Sequence, residues 1–191
     1  MIPDHLDAAF EDGRLVQTPG GDGRTVRRRL SDLILPTGSL LLGYPGSPLI
    51  NEPSPIRPVV APGRYPVWAS VAWSDDRRPV GVAFVVVEFV PGASRRWEGA
   101  GSFITDSGTG CLMDKSVIGR LEQRRSDSAD WRAEFFALRM GVFGNGDCNL
   151  PLDPATGANA IVFKTFDGRY DCFVGRGDGG EPVCLVVDGC D

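Results

Sequence analysis

Residues 65–73 read YPVWASVAW, and residues 80–90 read VGVAFVVVEFV. Both runs are rich in β-branched and aromatic side chains, and a polar turn separates them, so we predict a long antiparallel hairpin. Shorter runs that favour strands follow at 101–105, 109–113, 159–166, 170–174 and 182–188. Because no helical crossover joins these runs, the sequence predicts a mostly antiparallel sheet or a two-sheet sandwich.

Two helices are predicted within this β-rich chain, inserted around residues 115–141. Asp114 is placed to cap a helix over residues 115–125, and Ser128 to cap another over residues 129–140. Apolar residues of the second segment recur at helical spacing. The fold class expected from the sequence is therefore α+β and β-rich.

The 191 residues fit one domain of ordinary size. We predict a single domain over 1–191, in which residues 1–35 form an N-terminal appendage with a short helix. Residues 36–191 are then the β-rich core. The Pro-rich segment 36–66 is expected to wrap the domain as extended chain, because proline excludes long helices.

Composition limits the classes of function. Apolar residues make up 42% and charged residues 24%, as in globular proteins, and the formal charge of −5 disfavours a binder of nucleic acid or anionic membranes. No apolar run is long enough to cross a bilayer, and the N-terminus lacks a secretory pattern. The 5 cysteines form no Cys-x-x-Cys pair. We therefore expect a soluble, cytoplasmic protein with free thiols and no membrane association.

His5 is the single histidine, and it lies in a terminal segment. A Ser-His-Asp triad or a Cys-His pair is excluded unless this terminus folds into the site, and we expect His5 at the surface or at a helix end. Residues 175–180 match the dinucleotide-binding glycine pattern, but a strand-like run follows where that motif needs a helix. The sequence predicts no cofactor and no metal site.

Residues 103–109 read FITDSGT, which is the pattern with which aspartic peptidases present a catalytic carboxylate, here Asp106. Such enzymes need two aspartates that share a proton. Because one copy of the pattern occurs, a peptidase requires a homodimer or a second aspartate from elsewhere. The other interpretation, which we favour, is a tight turn whose carboxylate accepts backbone N–H groups.

Several short motifs recur in an order and spacing that resemble a bacterial family of unknown function, domain of unknown function 4241. The resemblance covers residues 36–188 and rests on segments 62–67, 97–100, 106–114, 159–163 and 167–170, and on the closing strand that ends at Asp188. The chain departs from the family at Lys164–Phe166, where a Gly-rich turn is usual, and at Gly189, where phenylalanine is usual. The resemblance implies no reaction or cofactor, and it implies that the Asp106 stretch is a structural unit.

We select Asp106, Asp114, Asp167 and Asp178 as candidate ligand-binding residues, with Tyr170 and Trp97 as apolar walls. The function expected is a non-catalytic binding module of the immunity type, with a protein partner or a small ligand and no nucleic acid. The alternative is a hydrolase, aspartic-peptidase-like or metal-assisted, that uses Asp106. The oligomeric state stays open, and no catalytic residue is assigned.

Overall fold

The computed structural model describes residues 2–43, 59–92, 96–105, 107–144 and 146–190. Short 3-10 helices lie at Leu6–Phe10, Lys115–Val117 and Gly141–Phe143. The longer helices are α1 (Ile118–Asp127) and α2 (Trp131–Met140). The strands are β1 (Leu15–Thr18), β2 (Gly21–Leu35), β3 (Leu40–Gly43), β4 (Gly63–Trp73), β5 (Pro79–Glu88), β6 (Arg96–Thr105), β7 (Thr109–Asp114), β8 (Asn149–Pro151), β9 (Asn159–Lys164), β10 (Gly168–Arg176) and β11 (Pro182–Asp188).

The strands form two antiparallel sheets. The larger sheet has the order β1-β2-β4-β5-β11-β10-β6, and the smaller has the order β3-β7-β9-β8. The predicted hairpin is confirmed as β4 and β5, and the two predicted helices are confirmed as α1 and α2. The protein is therefore a β-rich α+β fold.

A shared apolar core lies between the two sheets. Val67, Val85 and Leu185 face it from the larger sheet, and Leu112 and Ile161 face it from the smaller sheet. Burial of β-branched and aliphatic side chains from both sheets removes apolar surface from water, which is the main force that holds the layers together.

The outer face of each sheet is also covered. Leu6 and Ala9 of the first 3-10 helix pack on Phe84 of the larger sheet. Leu121 of α1 and Phe135 of α2 pack on the smaller sheet. The order of layers is therefore N-terminal segment, larger sheet, smaller sheet and helices. Among the residues described, no helix is long and apolar enough to span a membrane.

The structure differs from the sequence analysis in the assignment of residues 21–35. Residues 21–35, which were expected to belong to an appendage, form β2 in the larger sheet, where residues 24–35 pair with β4. The neighbouring strands β6 and β7 fall in different sheets, because β6 pairs with β10 and β7 pairs with β9. The extent of a single domain over 1–191 stays a prediction.

Phe163→Ala should lower the free energy of unfolding by about 3–5 kcal/mol, because it leaves a cavity in the shared core. Phe163 is 1% exposed there. Ile104→Ala is the control, since Ile104 lies on β6 and is 73% exposed. We expect the control to change stability by less than about 0.5 kcal/mol. Urea unfolding of both variants measures this, and similar losses in the two would contradict the assigned core.

Candidate functional site

Asp114, one of the selected aspartates, is fully buried at the end of β7. Its carboxylate accepts hydrogen bonds from the Thr37 backbone N–H at 3.0 Å, the Thr37 hydroxyl at 2.8 Å and the Ser116 backbone N–H at 2.8 Å. Burial, the largest single effect, favours the neutral form, but the hydrogen bonds from Ser116 and Thr37 together outweigh it and lower the pKa of Asp114. Asp114 therefore caps the 3-10 helix Lys115–Val117 and connects it to Thr37, and both of its carboxylate oxygens accept hydrogen bonds from the protein.

A second part of the candidate set meets at the start of β10. Asp167 and Tyr170 line a depression of about 200 Å³, together with Asp188 from the end of β11. The Tyr170 hydroxyl accepts a hydrogen bond from the Phe166 backbone N–H at 2.6 Å, which fixes the turn before the strand. Asp167 Oδ1 accepts the backbone N–H of Gly108 at 3.0 Å. Hydrogen bonds from backbone N–H groups therefore fix the Tyr170 and Asp167 side chains that line the depression.

The remaining candidates do not join this depression. Asp178 is exposed in the turn after β10, and Trp97 pairs with Gly175 near the same end of that strand. Nine residues of β10 separate the two ends, which is a distance of roughly 25–30 Å. Trp97 packs beside Phe10, with ring centroids 6.3 Å apart. Asp106 lies outside the described residues.

The loop that follows Asp106 is held by a side chain from the helical layer. Arg139 of α2 donates a hydrogen bond to the Thr109 hydroxyl at 3.0 Å and contacts the Ser107 carbonyl. The Lys164 ammonium lies nearby, and burial lowers its pKa, assisted by Arg139 and opposed by Asp167. These contacts fix the backbone of residues 107–109.

Sequence reasoning missed a cluster beside the depression. His5 Nε2 lies 2.7 Å from Asp188 Oδ2, and the other oxygen of Asp188 accepts the Cys190 backbone N–H at 3.0 Å. The Cys190 thiol contacts the Ala83 carbonyl oxygen at 3.8 Å. The N-terminal segment thus folds against the end of β11 and brings His5, the single histidine of the chain, beside the depression.

Cys190 differs from the other thiols in its exposure. It is half-buried, whereas the other four cysteines are buried. Burial raises the pKa of both Cys111 and Cys148 to about 12, which keeps these two thiols protonated. Cys190 is therefore the most accessible of the five thiols.

The family model described as "Protein of unknown function (DUF4241)" matches residues 33–187. This match covers most of the chain, so the chain belongs to that family. No curated protein and no solved structure matches the chain.

Asp114→Asn should lower the free energy of unfolding at about pH 7 by roughly 2–3 kcal/mol, because a neutral amide accepts the Thr37 and Ser116 hydrogen bonds less strongly and adds a buried donor. The folded-state pKa of Asp114 lies below its ordinary value of 3.8. Its ionised form therefore contributes stability above pH 3.8, and this contribution is lost as the pH falls through the folded-state pKa.

Urea unfolding should thus show that the difference in free energy of unfolding between wild type and Asp114→Asn narrows below pH 3.8. Asp178→Asn serves as the control, because Asp178 is exposed in a turn. A gap between wild type and Asp114→Asn that stays constant over the acid range would show that the charge of Asp114 plays no part.

Proposed function

We propose that this member of the DUF4241 family acts by binding, without catalysis of its own, and that its protein partner or small ligand presents a cationic group to the depression at the start of β10. The observation that carries the proposal is the meeting of two carboxylates, Asp167 and Asp188, in one depression of about 200 Å³. A concave site with a few fixed polar groups is the usual form of a ligand pocket.

Both carboxylates are held in place before any ligand arrives. Asp188 is 9% exposed and is fixed by His5 and by the Cys190 backbone N–H. Asp167 is fixed by the Gly108 backbone N–H. Side chains that are already ordered lose little conformational entropy when a ligand binds, so such a site favours affinity.

The charge balance of the lining favours a cation. Besides the two carboxylates, the lining has one guanidinium, that of Arg169, and it lies 3.0 Å from the Asp171 carboxylate. Gly168 adopts φ 147°, a conformation that favours glycine, and it leaves the backbone next to Asp167 without a side chain. A guanidinium or ammonium group can thus approach the carboxylates closely.

An immunity-type role is consistent with this surface. A protein of formal charge −5 with carboxylates in a depression is complementary to a basic partner, and such complementarity speeds association. The hydrolase alternative depends on Asp106, which lies outside the described residues, and it stays a prediction.

Titration with an acetylated and amidated tri-arginine peptide tests the proposal by calorimetry. We expect saturable binding of one peptide and an affinity at least about tenfold lower in Asp167→Asn, equivalent to about 1.4 kcal/mol. Asparagine keeps the oxygen that accepts the Gly108 N–H, so the loop is retained.

Asp178→Asn is the matched control, because it removes the same charge at the opposite end of β10. Its affinity for the peptide should equal that of wild type. Equal weakening in the two variants would indicate attraction by net charge alone and would contradict a site at Asp167, as would the absence of binding.

A further inference from the structure

Three metal-ligating side chains of different chemistry meet where the two ends of the chain come together. Donor atoms of His5, Asp188 and Cys190 all lie within 4.8 Å of one another. Imidazole nitrogen, carboxylate oxygen and thiolate sulfur are the three ligand types that bind Zn²⁺ in proteins. From this juxtaposition we propose that His5, Asp188 and Cys190 bind one transition-metal ion of the Zn²⁺ class.

The spacing of the donors suits such an ion. Bonds of roughly 2.0–2.3 Å to a tetrahedral Zn²⁺ place ligand atoms about 3.3–3.8 Å apart. The His5 and Asp188 atoms, now 2.7 Å apart in a hydrogen bond, need to separate by about half an ångström or more. The thiol lies within 4.8 Å of both and needs to approach them by no more than about 1.5 Å. Rotation of the half-buried His5 and Cys190 side chains supplies movements of this size.

The backbone positions of all three ligands are well fixed. His5 precedes the 3-10 helix whose Leu6 and Ala9 pack on the larger sheet, and the His5 ring lies 5.8 Å from the Phe84 ring. Asp188 ends β11, and its carboxylate accepts the Cys190 backbone N–H. An ion bound here would therefore join the first and last ordered segments of the described chain.

The site also has room for a further ligand. Asp188 and Cys190 line the depression of about 200 Å³, so an ion held by three protein ligands would have a position open towards water or a bound molecule. Three protein ligands with one open position is the arrangement of catalytic and exchangeable zinc sites, whereas structural sites use four protein ligands.

The donor set selects the kind of metal. A thiolate and an imidazole favour Zn²⁺ and its neighbours in the transition series over Mg²⁺ and Ca²⁺, which prefer oxygen ligands. The thiolate of Cys190 and the carboxylate of Asp188 together balance a doubly charged cation. Binding releases the thiol proton of Cys190 to water, and the His5 ring binds through a nitrogen that carries no proton.

The test uses the full chain, treated with chelator and then titrated with Co²⁺ and with Zn²⁺. We expect one equivalent of Co²⁺ to bind and to produce the charge-transfer absorption of a cobalt–thiolate bond in the near ultraviolet. Zn²⁺ should compete for the site and raise the melting temperature, because it binds the folded state. Mg²⁺ should do neither.

The variants locate the ion. Cys190→Ser should abolish the cobalt–thiolate absorption, and His5→Gln should weaken Co²⁺ binding at least about tenfold, equivalent to about 1.4 kcal/mol. Asp178→Asn is the control and should bind Co²⁺ like wild type. Circular dichroism of each variant without metal establishes that it is folded, and if Cys190→Ser is not folded, His5→Gln decides the outcome.

The proposal is overturned if no Co²⁺ or Zn²⁺ binds at one equivalent, if the absorption persists in folded Cys190→Ser, or if His5→Gln binds like wild type. The result is separate from that of the peptide titration, which is carried out in chelator and depends on Asp167. Failure of metal binding therefore leaves the proposed function standing, and failure of peptide binding leaves the metal site standing.

Discussion

The arrangement of the two sheets depends on the hydrogen bonds that the buried Asp114 carboxylate accepts. A charge without water is tolerated inside a protein only when hydrogen bonds replace its hydration. Thr37, which follows β2, and Ser116, which starts the helical layer, supply these bonds. One side chain at the end of β7 thus ties together the exit from the larger sheet, the smaller sheet and the helices.

Asn159 makes a second connection of the same kind. This 3% exposed amide at the start of β9 accepts the Ile34 backbone N–H at 2.9 Å and donates to the Asp32 carbonyl at 2.8 Å. Both partners lie on β2, so the longest strand of the larger sheet is joined to the smaller sheet at two points. Apolar burial holds the layers together, and these directional bonds fix how they are aligned.

The sequence predicted best those elements whose burial can be inferred from the order of side chains within the element itself. Residues 81–87 of β5 are buried on both faces, and the sequence shows this directly as a continuous run without charged side chains. β2 was less visible because it carries arginines where an alternating apolar pattern would be expected. The Arg27 guanidinium lies over the Trp68 ring at 4.6 Å and pairs with Glu88, and the sequence pattern does not record either contact.

In the candidate site, too, the sequence predicted the local feature and did not predict the contact between distant residues. Asp114 was expected both to cap a helix and to bind a ligand, and the cap, which is a local feature, is what the structure shows. The approach of His5 to Asp188 joins residues 183 positions apart, and no local pattern encodes it. That approach requires Leu6 and Ala9 to be buried on the larger sheet, which places the N-terminal segment beside the end of β11. Packing of apolar residues therefore determines which polar groups meet at the depression, and those polar groups in turn determine what the depression can bind.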